Sequence, residues 1–278
     1  MLDWVYVNGE YLRREDARFH VSDLSILRGY GVFDYFRYVN GKPRFLADHL
    51  ARIRHSAAAL HLDLGLGDAE LTTLVHQLIE RNGGQDGGIR LVLTGGYAPD
   101  GYTPVTANLA GLPYGYTPPA AEWYAGGCTV WLHPYERQLP TVKTIDYLEG
   151  IRIQPRLRAA GAQYPLYVDR DDYVRESDRS NYFIVRDGTL ITPGVDILAG
   201  ITRLHLLRVA QVLGISTEER RISTTELWQA DEVIICSSIK GAMPVSKAID
   251  SHTGEVANFG LPGPVTRRLM EAWKDYGG

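Results

Sequence analysis

Apolar and polar positions alternate with a period of two through several short stretches, and the breaks between them carry strong turn signals. Trp4-Val5-Tyr6-Val7 runs into Asn8-Gly9 and then Glu10-Tyr11-Leu12. The aromatic and β-branched run over 32–39 ends at Asn40-Gly41, and Asp187-Gly188 separates 182–186 from 189–192. Asn-Gly and Asp-Gly supply the positive φ angles of two-residue hairpin turns, so three hairpins are predicted, the second with its partner strand around 43–46. From 47 to 62 the period lengthens to that of a helix, with Leu50, Ile53, Ala57 and Leu60 on one stripe. Residues 71–79 read as a second helix, stopped by Asn82-Gly83-Gly84 before a strand at 89–94.

Prolines and glycines gather between Gly111 and Trp123, which predicts a division into an N-terminal domain 1–114, a linker 115–122 and a C-terminal domain 123–278. The second half begins with a strand at 128–132, a segment holding Lys143 and a helix over 147–160. A meander of strands follows at 165–169, 173–176, 182–186 and 189–192. A helix over 201–213 ends at Gly214, and Ser223-Thr224-Thr225-Glu226 has the form of a capping box. A strand at 232–236, a strand pair within 245–256 and a helix over 264–273 complete the pattern, which shows no internal repeat.

Composition narrows the function. The 278 residues are 45% hydrophobic and 22% charged, typical of a folded globular chain. A net charge of −4 offers no general field for a nucleic-acid backbone. Cys128 and Cys236 lie far apart in apolar stretches, the setting of free core thiols in a reducing compartment. No stretch approaches the ~18 apolar residues of a membrane span, and the N-terminus lacks a basic region followed by an apolar run. A soluble cytoplasmic protein, acting on neither nucleic acid nor membrane, is the expectation.

Candidate chemistry begins with lysine, because the chain has only five, at 42, 143, 240, 247 and 274. Lys143 sits among small and apolar neighbours before a helix start, where desolvation lowers an amine's pKa and suits it to nucleophilic work; the plain alternative is a lysine snorkelling from a turn. Glu176 ends one strand of the meander and can face a cationic ring nitrogen, or simply pair with Arg175 or Arg179. Gly200-Ile201-Thr202-Arg203 opens a helix, and free N–H groups there bind anions. Ser237-Ser238 places two hydroxyls at a strand end. Arg52 lies opposite the apolar stripe of its helix, as a solvated arginine would. Each signal is weak alone.

Their order resembles one family, the fold type IV pyridoxal-phosphate enzymes of the class IV aminotransferase group, which includes D-amino acid aminotransferases, branched-chain aminotransferases and aminodeoxychorismate lyase. The resemblance spans nearly the whole chain. It is carried by Tyr30-Gly31-Val32-Phe33-Asp34, Asp48-His49-Leu50-Ala51-Arg52, the Lys143 segment, Glu176 through Phe183, Gly200 through Arg203, and Cys236 through Val245. It implies an α/β (α+β) fold of two domains, a smaller N-terminal one and a larger C-terminal pseudo-barrel, with pyridoxal 5′-phosphate between them, working as a homodimer. By the same resemblance Lys143 holds the cofactor covalently and moves the substrate α-proton, and Glu176 faces the pyridine nitrogen. Arg52, the Ile201 and Thr202 amides, the Thr202 hydroxyl, Ser237 and Ser238 would cradle the phosphate, and Tyr147 would approach the ring hydroxyl. No metal is expected.

Departures from the family pattern bear on the substrate. Where relatives carry a small neutral loop, this chain has Glu176-Ser177-Asp178-Arg179-Ser180-Asn181, and Arg179 would read a substrate carboxylate or pair with Asp178. Arg28, just before Gly29-Tyr30-Gly31, is a second carboxylate candidate, from its own pocket or across a dimer. The Arg-x-His pair of the best-known D-amino acid enzymes is replaced by Thr94-Gly95-Gly96-Tyr97, and their partner tyrosine by Phe33. Lys240 could touch the pocket, but the favoured expectation is that it points to solvent. Two arginines suit amino and keto acids, and the resemblance with these departures favours a transaminase of D-amino acids such as D-glutamate or D-alanine with 2-oxoglutarate. An L-branched-chain aminotransferase, an aminodeoxychorismate lyase and a degenerate ligand-binding homodimer stay as alternatives.

Overall fold

The computed structural model describes residues Met1–Gly277 and divides the chain into two compact units. The first comprises Met1–Thr117 with Val142–Asp146; the second comprises Pro118–Thr141 with Tyr147–Tyr276. The Lys143 segment, which the division at 123 assigns to the second half, therefore packs with the first unit.

The first unit contains β1 (Trp4–Val7), β2 (Glu10–Arg13), α1 (Leu24–Arg28), β3 (Gly31–Val39), β4 (Lys42–Pro43), α2 (Leu46–Ala59), α3 (Asp68–Arg81), β5 (Gly87–Thr94) and β6 (Asn108–Gly115). Its six-stranded sheet has the order β2-β1-β6-β5-β3-β4. Even-numbered β3 residues Val32, Phe36 and Tyr38 join Leu50, Ile53 and Ala57 of α2 and Leu71, Leu74 and Leu78 of α3 in one core. Odd-numbered Phe33, Tyr35 and Arg37 occupy the opposite face, level with Val92, Arg90 and Gly88 of β5. Residues 142–146 line the β3 edge: Phe33 N donates to Lys143 O (2.9 Å) and Ile145 N to Gly31 O (3.1 Å).

The second unit contains α4 (Glu122–Gly126), β7 (Cys128–Pro134), α5 (Leu148–Arg152), α6 (Gln154–Ala159), β8 (Tyr164–Val168), β9 (Tyr173–Val174), β10 (Asn181–Arg186), β11 (Thr189–Thr192) and α7 (Ile201–Val212). It continues with β12 (Thr217–Glu219), β13 (Ile222–Ser223), α8 (Thr224–Trp228), β14 (Glu232–Ser237), β15 (Gly241–Asp250), β16 (Val256–Asn258) and α9 (Pro264–Asp275). The ten-stranded sheet runs β12-β11-β10-β14-β15-β7-β8-β9-β13, with β16 against β15. Both faces are covered: Phe183, Val185, Ile234 and Cys236 pack with α7 and α9, while Tyr182, Ile184, Val233 and Ile235 pack with Tyr164, Leu166 and Leu227.

All three hairpin dipeptides take the backbone that their residues favour, with φ of 47° and 99° at Asn8-Gly9, 49° and 73° at Asn40-Gly41, and 49° and 76° at Asp187-Gly188. Other expectations need correction. The Gly/Pro stretch from Gly111 begins as strand, because β6 pairs with β5 as far as Gly87↔Gly115. The strand expected at 43–46 stops at Pro43, since Phe45 turns left-handed (φ 54°) to start α2. The helix expected over 147–160 is two helices, with Pro155 in the first turn of the second, where its missing N–H has no intrahelical partner to lose. Helix α1 lies outside the sequence reading; five residues are too short for periodicity to show.

Candidate functional site

Within the first unit the Lys143 backbone is tied on both sides, its C=O by Phe33 N and its N–H by the buried Ser56 hydroxyl of α2 (3.1 Å). Its ammonium lies 4.6 Å from the centre of the Phe33 ring. The exposed Arg90 guanidinium lies 5.2 Å from the centre of the same ring, so two cations share one aromatic side chain. Sequence reasoning missed Arg90, which the β3–β5 register sets opposite Tyr35.

Arg52 is no solvated arginine. Its Nε and Nη2 donate to the two oxygens of Asp34 at 2.7 and 2.8 Å, and His49 Nδ1 lies 2.7 Å from Asp34 Oδ1. Asp34 and His49 are buried. Burial alone would raise the Asp34 carboxyl, but Arg52 and His49 beside it hold it well below the usual carboxylate range. Burial also lowers the His49 imidazole, against the pull of Asp34, which keeps the ring neutral. The planar guanidinium is thus oriented by a fork-to-fork pair.

Arg28 closes α1. The helix starts on Asp23, whose Oδ1 accepts from Ser25 N (2.8 Å) and whose Oδ2 accepts from Thr94 Oγ1 (2.8 Å) and Asn108 Nδ2 (2.7 Å). Arg28 is exposed and donates to Leu27 O at 2.8 Å.

In the second unit Glu176 is buried in a network that the local sequence does not reveal. Its expected partners are engaged elsewhere, Arg175 with Asp169 and Asp196, and Arg179 with Asp178. Arg137 Nη1 reaches Glu176 Oε1 instead (2.8 Å), while Asn181 Nδ2 and Leu198 N donate to Oε2, each at 3.1 Å. A pocket of about 280 Å³ adjoins the carboxylate, walled by Tyr135, Arg137, Tyr167, Arg175 and Asp196.

Asn181 also touches the start of α7. A Cβ on Gly200 would stand 1.8 Å from Asn181 Oδ1, so only glycine fits this helix start. No side chain caps α7, and Ile201 and Thr202 are buried there. A buried, uncapped helix N-terminus presents its amide groups to an anion. Among the hydroxyls, half-buried Ser237 ends β14 and half-buried Ser238 begins the turn to β15. Tyr147, at the cap of α5, has its phenol pushed up to about 12 by burial, so it keeps its proton at neutral pH and can donate it in a hydrogen bond.

Arg179 is exposed and donates through Nε to Asp178 Oδ2 (3.1 Å). Lys240 contradicts its expectation. It is buried, with Nζ 2.9 Å from Ser180 Oγ and 4.2 Å from the centre of the Tyr164 ring, because the β14–β15 turn folds it inward toward β8. Among the described residues no cluster of three or more His, Cys, Asp or Glu side chains could hold a metal, and no helix is long and apolar enough to cross a membrane.

The first unit thus assembles Lys143, Arg52 and Arg90 from the sheet and α2, and the second assembles Glu176 with the α7 start. Comparison with known proteins gives the same pattern a context. The family model for amino-transferase class IV matches residues 31–248. D-alanine aminotransferase of Bacillus licheniformis is 29% identical over 96% of this chain and 95% of its own length. That of Staphylococcus epidermidis is 30% identical over 98% and 97%. The branched-chain amino acid aminotransferase structure from Escherichia coli superposes with a TM-score of 0.90 at 26% identity, covering 100% of this chain and 95% of that one.

Proposed function

Because the chain belongs to the class IV aminotransferases, we propose that it moves an amino group between an amino acid and a 2-keto acid such as 2-oxoglutarate, with preference for D-amino acids such as D-glutamate or D-alanine. The family cofactor is pyridoxal 5′-phosphate. The observation that carries the reading is Asn181: one side chain joins Glu176 to the uncapped start of α7. One compact unit therefore offers a carboxylate for a protonated ring nitrogen and an amide cradle for a phosphate, the two polar ends of this cofactor.

When bound, the cofactor supplies the electron sink that α-proton removal requires. In this reading Lys143 attaches it through Nζ and moves the proton at the substrate α-carbon, with its backbone held by Phe33 and Ser56. Arg52, oriented by Asp34, adds a charge-assisted contact to the phosphate, joined by the Ile201 and Thr202 amides and the Thr202, Ser237 and Ser238 hydroxyls. Glu176 keeps the ring nitrogen protonated while Arg137 and Asn181 hold the carboxylate in place. Tyr147, which keeps its proton, would donate a hydrogen bond to the ring oxygen.

Charge supports the D-amino acid preference. Arg179 occupies a loop that is small and neutral in the branched-chain pattern, and Arg90 adds a cation beside Lys143. These arginines, with Arg28, suit the carboxylates of glutamate and 2-oxoglutarate, whose desolvation without a partner would cost several kcal/mol. Val21, Ile26 and Leu27, on or just before the helix that carries Arg28, are exposed, and this apolar surface supports a homodimer, with Arg28 serving its own or the partner's pocket. Two buried free thiols, Cys128 and Cys236, fit a reducing compartment such as the cytoplasm.

The test is the visible spectrum of the cofactor-loaded protein during separate additions of D-glutamate, D-alanine, L-leucine and L-glutamate. Loss of the yellow band with the D-amino acids alone supports the assignment. Bleaching by L-leucine replaces it with the branched-chain activity, and a yellow protein inert to all four points to the lyase. Lys143→Ala should abolish covalent attachment and turnover, and normal turnover in that variant would overturn the enzyme reading.

A further inference from the structure

We propose that Lys240 is a positioning residue: its side chain, anchored inside the fold on Ser180, holds the 177–180 loop so that Arg179 meets the substrate carboxylate. The inference rests on the carboxylate-reading role given to Arg179 above.

The loop is tightly wound. Ser177 N donates to Ser180 O (2.8 Å), Ser177 Oγ donates to Asp178 Oδ1 (3.0 Å), and the Asp178 side chain is buried while Arg179 stands outward. Lys240 reaches it from the β14–β15 turn, where its own backbone is fixed at both ends. Lys240 N donates to Ser237 O (3.1 Å), and the Tyr124 hydroxyl donates to Lys240 O (2.8 Å). One side chain thereby ties the turn that carries Ser237 and Ser238 to the loop that carries Arg179.

Stability does not account for this lysine. Among the described residues its Nζ has a neutral hydroxyl and a ring face as neighbours and no carboxylate within ion-pairing distance. A buried ammonium so placed opposes folding, and a methionine of similar length would fill the space at lower cost. What the ammonium adds is positive charge near Arg179, one residue from the Ser180 hydroxyl that it contacts. The titratable and charged groups facing it are Asp178 and Arg179 of the loop, Tyr164 of β8, Cys128 of β7, Cys236 of β14 and Tyr124 of α4. Burial, with Arg179 second, lowers the Lys240 amine to about 8. Cys128, Cys236 and Tyr164 are each pushed up to about 12. Lys240 is therefore the member of this group that changes charge just above neutrality. Protonated, it strengthens the field that an anionic substrate meets at Arg179; as pH rises through about 8, that contribution is lost.

The experiment measures KM and kcat for 2-oxoglutarate, which does not titrate in this range, from about pH 7 to about pH 9.5 with saturating pyridoxal phosphate. In the native protein KM should rise about fivefold across the range, whereas Lys240→Met should show a raised and pH-independent KM, with kcat within about twofold. Its melting temperature without cofactor should equal or exceed that of the native protein. A lowered melting temperature with native KM and native pH profile would mean a structural lysine and overturn the proposal. Ser180→Ala, which keeps the lysine and removes its acceptor, is the second variant and should also raise KM. Arg179→Ala, measured alongside, separates the premises. If it leaves KM unchanged, the reading of Arg179 fails. If it raises KM while both Lys240→Met and Ser180→Ala behave as native, the Lys240 proposal alone fails.

Discussion

Asp34 and Glu176 are both buried carboxylates paired with an arginine, yet they are built to different ends. Asp34 has its two oxygens taken by Arg52 and His49, so the acid is hidden and its pair holds the guanidinium of Arg52 in a fixed orientation. Glu176 is held by Arg137, Asn181 and Leu198 and adjoins a pocket, so there the acid is presented and the arginine supports it. The difference teaches that the acid of a buried ion pair can be held for either end: as the scaffold that orients its arginine, as Asp34 is, or as the tool that its arginine helps to hold beside a pocket, as Glu176 is.

The largest effect should come from the tool of the second unit. Glu176→Gln keeps the shape and the contacts of one oxygen but cannot hold a ring nitrogen protonated, so turnover should fall about a thousandfold while the protein still takes up pyridoxal phosphate. Single-turnover rates with bound cofactor measure this directly. Asp34→Asn should reverse the balance. Removing the charge leaves Arg52 buried beside a neutral amide, which costs about 3 kcal/mol of stability, and a loosened Arg52 should weaken cofactor affinity more than kcat. Denaturant titration and cofactor titration read the two effects. If Asp34→Asn abolished turnover at saturating cofactor while Glu176→Gln merely destabilised, the assignment of scaffold and tool would be inverted.

Acid should separate the two clusters more gently. The folded Asp34 carboxyl lies below its usual value, so its contribution is complete above about pH 4 and fades as pH falls further. The folded His49 imidazole also lies below its usual value, near 6.5, so the unfolded chain takes up a proton first and stability declines from about pH 6.5 downward. The melting temperature of the native protein should begin to drop there. In His49→Asn, whose amide can still donate to Asp34, this share of the drop should vanish, and an unchanged acid profile would show that His49 is not held neutral.

Much of the fold was legible because its signals are local. Asn8-Gly9, Asn40-Gly41 and Asp187-Gly188 each carry their turn in two residues, and Ser223 with Glu226 closes a capping box as its spacing predicts. Sites built across distance were not. Arg137 lies 39 positions before Glu176, and no pattern near either residue points to the other. Asn181 was visible in the motif, but its double role depends on where the α7 start returns in space. Lys240 looked like a turn lysine bound for solvent, because sequence around a hairpin does not tell which way the turn leans. Lys143, Glu176 and Arg52 drew notice individually, and only the order of a whole family pattern raised them above ordinary surface or turn residues.

The smallest effect should come from the residue that links scaffold to nucleophile within the first unit. Ser56 on α2 is buried, and its hydroxyl accepts the Lys143 N–H at 3.1 Å, four residues beyond Arg52 on the same helix. Ser56→Ala removes this acceptor but leaves Lys143 O bonded to Phe33 N and Ile145 N bonded to Gly31 O, so the segment keeps its place along β3. The loss should be about 1 kcal/mol, which lowers the melting temperature by about 3 °C. Turnover should fall no more than about threefold, since the ammonium still lies over Phe33. A loss of turnover as deep as that of Glu176→Gln would show that the lysine is aimed by its N–H contact to α2, and the sheet edge would then be the lesser of its two supports.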